Sequence, residues 1–185
     1  SVGEGPSKVL VLDETAKVNE LLSNGWPYNI KKEKDRSRVV LGFDAEYTQS
    51  REVAMIQLSD ETNAVIIRLV NMGTKMPEKL KELLMNKKVI KVGVGVKDDA
   101  LAIDQLMIGP QVEEKKPEEK KPEEKQVQAE RLCKGVLDVA RVALRYGVAT
   151  GLRSLADLSE DLLGIKKSDS QGGWTKEKLS KEQEA

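Results

Sequence analysis

Apolar residues along the chain fall into short runs separated by stretches with helical spacing. Lys8-Val9-Leu10-Val11-Leu12 has the length of a strand, and Asp13 is placed to cap a helix through Leu21 and Leu22 that Asn24-Gly25 ends. After the polar stretch from Lys31 to Arg38, Val39-Val40-Leu41-Gly42-Phe43 predicts a second strand. Val53 to Leu58 and Ala64 to Leu69 predict two more, joined by the turn-forming Ser59-Asp60-Glu61-Thr62-Asn63, and links this short point to an antiparallel meander. Pro77 opens a helix carrying Leu80, Leu83 and Leu84, and Val89-Ile90-Lys91-Val92 returns to strand. A helix is then predicted from Asp98 or Asp99, its apolar side formed by Leu101, Ala102, Leu106 and Met107. Val136-Leu137 leads into a helix with Val139, Ala140, Ala143 and Leu144. Ser154 and Asp157 form a capping box before Leu158, Leu162 and Leu163, and Gly164 closes that last helix. Three strands followed by helix, strand and helix predict an α/β fold on a mixed sheet.

Composition narrows the chemistry more than the fold. The chain has 185 residues, a length for one domain over 1–185. Lys plus Arg and Asp plus Glu both number 31, so any basic surface has to be local. No apolar stretch approaches the roughly eighteen residues that span a bilayer, and Ser1 to Pro6 has no signal pattern, so the expectation is a soluble, intracellular chain with no membrane partner. Cys133 is the only cysteine, which excludes an internal disulfide framework and predicts a buried small hydrophobe. The complete lack of histidine excludes imidazole bases, histidine triads and histidine zinc sites, and favours oxygen-ligated magnesium or manganese. Residues 113–125 contain no apolar side chain and repeat Pro-Glu-Glu-Lys-Lys, so 111–130 are expected to form a mobile surface insertion, with a charged tether for a protein partner as the alternative.

The candidate chemistry lies in carboxylates. Asp44 and Glu46 stand two apart at the end of the second predicted strand, so both project to one side while Ala45 faces the other. Two acids on a central strand are costly without a cation beside them, and a divalent metal supplies one. Acids at strand ends are common, so the pair alone is a weak signal. Phe43 and Tyr47 flank it, Tyr47 being placed to support the acids or contact a base. Gly93-Val94-Gly95 before Asp98-Asp99 superficially suggests a dinucleotide turn, but Asp98 occupies the place of the third glycine. Asp99 instead reads as an acid in the first turn of a helix, either a capping residue or one leaning toward a metal.

Phe43-Asp44-Ala45-Glu46-Tyr47 followed by Val53-Ala54-Met55-Ile56-Gln57-Leu58 resembles the first motif and second strand of the DEDD superfamily of 3′–5′ exonucleases, which have a ribonuclease H-like fold. Lys91 to Asp99 is similar to the second motif of that family, with Asp99 the better match for its aspartate. Leu137-Asp138-Val139-Ala140, Gly151 to Ala156, Gly164 and Trp174-Thr175 resemble the stretch before the third motif in the branch containing the Werner syndrome exonuclease domain. The resemblance covers about residues 39–109 and 134–185.

It implies a ribonuclease H-like sheet flanked by helices and two Mg2+ or Mn2+ ions about 4 Å apart that promote phosphodiester hydrolysis at the 3′ end of DNA or RNA. Asp44 would bridge the ions, Glu46 would ligate one and Asp99 the other. Lys97 and Arg153 are candidate phosphate contacts, with solvated surface charge as the ordinary reading, and Tyr47 and Trp174 are further candidate nucleic-acid contacts. The family's last aspartate follows a tyrosine or histidine by four residues, on a helix after the Trp-containing segment. Here Ser180 and Gln183 form a capping box, the sequence ends at Ala185, and neither Glu182 nor Glu184 fits the pattern. The expectation is therefore a truncated C-terminal helix, little or no hydrolysis by this chain, and oligomers formed through surface that the helix would cover. The competing expectation is an inactive nucleic-acid-binding or protein-interaction module on the same fold.

Overall fold

Five of six strands run in the same direction. In the computed structural model, which describes residues 8–27, 38–73, 76–109 and 131–166, the strands are β1 (Lys8–Leu12), β2 (Val39–Tyr47), β3 (Val53–Ser59), β4 (Asn63–Arg68), β5 (Val89–Gly93) and β6 (Val136–Asp138). They form one sheet in the order β1-β4-β3-β2-β5-β6, and only β3 is antiparallel to its neighbours. The helices are α1 (Thr15–Ser23), α2 (Glu78–Met85), α3 (Val96–Ile108), α4 (Val139–Arg145) and α5 (Leu155–Leu163). This is the mixed-sheet α/β class predicted above, including the β2-β3-β4 meander. The charged insertion, Trp174 and the Ser180–Gln183 box lie outside the described residues.

Strand β3 is buried almost throughout, as its central place requires. On β2 the alternation is sharp: Leu41, Phe43 and Ala45 are buried, whereas Val40 and Asp44 are exposed. The main core joins these β2 residues to Ile56, Leu58, Val65 and Ile67 of the sheet, Val18 of α1, Leu80 and Leu84 of α2, and Ala100 and Ile103 of α3. A smaller cluster gathers Ala140 and Ala143 of α4 with Leu158 of α5.

Several helix ends differ from the predictions. The N-cap of α1 is Glu14, not Asp13, and Glu14 pairs instead with Lys17 one turn on. Asn19 of α1 reaches across to accept the free N–H of Lys79 at 3.0 Å, so one helix caps the next. The Ser154–Asp157 capping box forms as predicted, with both reciprocal hydrogen bonds, but Leu162 and Leu163 of α5 are exposed and only Leu158 is buried.

Lys91 is the least expected member of the interior, fully buried in the middle of β5. Its ammonium donates to the carbonyls of Leu84 at 2.9 Å, Asn86 at 3.2 Å and Val89 at 2.8 Å. Leu84 and Asn86 lie at the C-terminal end of α2 and Val89 in β5 itself, so the cation sits at the negative end of the helix dipole and adds to the backbone N–H groups of Lys134 and Val89 that the first two carbonyls also accept. Burial lowers the Lys91 pKa to about 8, offset in part by the nearby Cys133 sulfur.

Replacing Lys91 by Met is expected to lower stability by about 1–3 kcal/mol at pH 7 in urea unfolding, because three backbone carbonyls lose the ammonium as a donor. The pH dependence has a definite sign. From about pH 8 to 10.5 the unfolded chain holds the Lys91 proton more tightly than the folded one. The Lys91 contribution to stability therefore rises with pH across that window. The difference between wild type and Lys91→Met should accordingly widen from pH 8 to 10.

Candidate functional site

Strand β2 loses one neighbour halfway along. It pairs with β5 from Val39 to Gly42, opposite Val89 to Val92, whereas its pairing with β3 continues to Tyr47 opposite Val53. Asp44 and Glu46 therefore lie within a strand that β3 prolongs, not beyond its end, and from Phe43 onward β2 is no longer paired with β5. The turn occurs at Gly93, where an added Cβ would strike the Phe43 carbonyl oxygen and the Val96 side chain. A side chain there would push the start of α3 off β2.

Helix α3 begins at Val96, earlier than predicted, because Gly95 adopts φ 76° as its N-cap and accepts the Asp98 N–H at 3.0 Å. Ala102, Leu106 and Met107 pack against the core as predicted. Val96, Ala100 and Ile103 are buried, whereas Leu101, predicted for the apolar side, is 43% exposed. Asp99 falls on the buried face and is only 8% exposed; Asp98, one residue earlier, is exposed.

The burial of Asp99 is relieved by a side chain 52 residues away in sequence. Tyr47 Oη donates to Asp99 Oδ1 at 2.7 Å, tying the end of β2 to the first turn of α3. Burial raises the Asp99 pKa, the Tyr47 hydrogen bond opposes that rise, and the charges of Asp44 and Asp98 add to it. The Tyr47 phenol is pushed well above its usual range by burial, by its bond to Asp99 and by the charges of Asp99, Asp44 and Asp98, so it remains a donor. Asp44 is thus in electrostatic reach of both members of the pair. Glu46 lies two residues on along β2, half-buried. Among the described residues, no three acidic or thiol side chains are grouped so as to hold a metal ion.

The two basic residues noted in the sequence come together. Lys97 and Arg153 line one groove of about 350 Å³ with Arg131 and Arg141, which no sequence motif singled out. Asp104, also missed, is buried and accepts the Cys133 N–H at 2.6 Å, fixing the chain just after residue 131 against α3. A lone acid amid a helix's apolar positions carries no local signal for such a partner. Cys133 itself is buried, and its thiol pKa is pushed up to about 11, chiefly by burial.

A family model described as 3′-5′ exonuclease matches residues 23–184. The chain belongs to the 3′-5′ exonuclease family. Over 83 residues it is 37% identical to the Drosophila melanogaster exonuclease 3′-5′ domain-containing protein 2, a match that takes in 42% of this chain and 14% of that protein. Among solved structures it is similar to the EXD2 exonuclease domain soaked in Mg and dGMP, with TM-score 0.51 and 22% identity, covering 95% of this chain and 79% of that one. It is also similar to Brucella melitensis NrnC bound to pGG, with TM-score 0.60 and 14% identity over 97% and 72% of the two chains. These structures share the ribonuclease H-like α/β fold of the exonuclease family. Among the described residues no helix is long and apolar enough to cross a membrane.

Tyr47→Phe removes the donor that favours ionised Asp99. The Asp99 pKa is expected to rise further, which a carboxyl ¹³C NMR titration of the two proteins reads directly.

Proposed function

We propose that this domain hydrolyses phosphodiester bonds at the 3′ end of DNA or RNA, with Asp44, Glu46 and Asp99 as ligands for Mg2+ or Mn2+. The observation that carries the reading is the Tyr47–Asp99 hydrogen bond of 2.7 Å, which joins the two family motifs at one end of the sheet within reach of the Asp44 charge. A buried Asp99 whose proton affinity is raised by burial and by the charges of Asp44 and Asp98 is suited to a hard cation, and the chain has no histidine with which to prefer zinc. When bound, such ions supply a water ionised at neutral pH and neutralise charge on the phosphate. The chain's own contribution is positional. Tyr47 fixes one oxygen of Asp99, leaving the other to face the reaction. Asp44 and Glu46 are held at a two-residue spacing by pairing with Gln57 and Met55 of β3. Lys97 and Arg153 are assigned to substrate phosphates, and Tyr47 and Trp174 to the nucleotides themselves. Within the family, the Leu137–Ala140 and Gly151–Ala156 segments support a place near the Werner syndrome exonuclease branch.

The test is release of nucleoside 5′-monophosphates from 3′-labelled single-stranded DNA and RNA in Mn2+. Wild type should release them only at an impaired rate, because neither Glu182 nor Glu184 fits the pattern of the family's last aspartate, and Asp44→Asn should lower that rate further, by at least about a hundredfold. Binding of the strands by wild type without release of nucleotides would sink the hydrolase reading and leave a nucleic-acid-binding module.

A further inference from the structure

The groove that holds Lys97, Arg131, Arg141 and Arg153 has two acids in its lining, Asp98 and Asp138. Cations there outnumber acids two to one in a chain whose basic and acidic residues are equal at 31 each. One of the two acids is already engaged. Asp138 is the N-cap of α4, accepting the Ala140 N–H at 3.0 Å, and its other oxygen lies 3.8 Å from Arg141 Nε. Arg153 lies 3.5 Å from Asp161, but both side chains are about half exposed. An exposed pair of that kind contributes little, so its guanidinium can exchange partners.

The topology fixes where this groove stands. Strands β2, β5 and β6 are parallel neighbours, and their C-terminal ends carry Asp44–Tyr47, Gly93 and Asp138 in that order. The carboxylates and the basic groove therefore share one edge of the sheet, separated by two strand spacings, or roughly 10 Å. The first turn of α3 divides them. Successive helical residues point about 100° apart, so Asp99 turns toward Tyr47 whereas Asp98 and Lys97 turn toward the groove. Among the described residues no aromatic side chain lines the groove, which suits it to phosphates and not to stacked bases. Three of its four cations are arginines, whose planar donors match phosphate oxygens.

We propose that this groove is the track for the phosphodiester backbone of a single-stranded nucleic acid whose end lies at Asp44, Glu46 and Asp99, an inference that rests on the nuclease reading of those acids. Arg131 and Arg141 are the contacts it adds. Because they grip the backbone, they set affinity for the strand without regard to its base sequence.

Fluorescence anisotropy with a 5′-labelled oligodeoxythymidine in EDTA tests this without any cleavage. The double variant Arg131→Ala/Arg141→Ala should weaken binding about tenfold and reduce the slope of log K against log salt by about 1.4, the share of two phosphate contacts on a single strand. The control is Lys87→Ala/Lys88→Ala. It removes the same charge at exposed positions before the N-terminus of β5, the opposite edge of the sheet, and should leave both quantities near wild type. Arg131→Lys/Arg141→Lys should retain the wild-type slope. If the double alanine variant does not fold, Arg131→Gln and Arg141→Gln singly carry the test, with slope changes of about 0.7 each. Equal losses in groove and control variants, an unchanged slope in the groove variant, or no binding by wild type would overturn the proposal. Failure of the nuclease reading shows separately, as absence of nucleotide release in Mn2+ while the anisotropy result stands.

Discussion

The parting of β5 from β2 after the Gly42–Val92 pair is the constraint on which the rest depends. A strand held on both sides has no room beside it, and one held on neither has no fixed side chains. From Phe43 to Tyr47, β2 is anchored by β3 alone, which keeps Asp44 and Glu46 in register while leaving the other flank for α3. Gly93 makes the parting tight, since the Phe43 carbonyl occupies the space a Cβ would need. Everything chemical at this edge follows from that geometry. Tyr47 reaches Asp99 because α3 begins against the unpaired flank, and the basic groove opens on the far side of the same helical turn.

Much of this was legible from local signals. Strands with β-branched runs, the Ser59–Asn63 turn and the Ser154–Asp157 capping box each involve residues within a few positions of one another, so pattern and propensity suffice. Asp60 illustrates the point: its carboxylate accepts the backbone N–H groups of Thr62 and Asn63, which is why that acid marks a turn. The start of α3 was not legible, because it depends on the positive φ of Gly95, and a glycine gives no indication of which region it occupies. Of the predicted apolar side, Ala102, Leu106 and Met107 do pack on the core, whereas Leu101 is exposed and Asp99 and Ala100 are buried, because the inward face is set by which neighbours surround the helix.

Long-range polar pairings were legible only where a family pattern supplied them. Asp44, Glu46 and Asp99 could be named from motifs, but the hydrogen bond of Tyr47 to Asp99 spans 52 residues and has no periodicity. Lys91 was harder still. A lysine inside a strand reads as a solvent-facing residue, and the end of α2 beside it helps to explain why burial is tolerable: its three donors meet three backbone carbonyls, two of them where that helix ends. Arg131 and Arg141 carry no motif at all. They matter because β6 lies next to β5, an adjacency that composition and spacing do not encode.

Asp104 and Cys133 bear on how the chain returns to the sheet. Their bond ties α3 to the chain leading into β6. Lys134 and Gly135 add backbone bonds to Leu84 and Lys91 immediately afterwards. Among the described residues, the return into the sheet is therefore held by Cys133, Lys134 and Gly135 against Asp104, Leu84 and Lys91. Both shores of that crossing, the end of α3 and the start of β6, are thus moored to each other by bonds among residues 84, 91, 104 and 133–135.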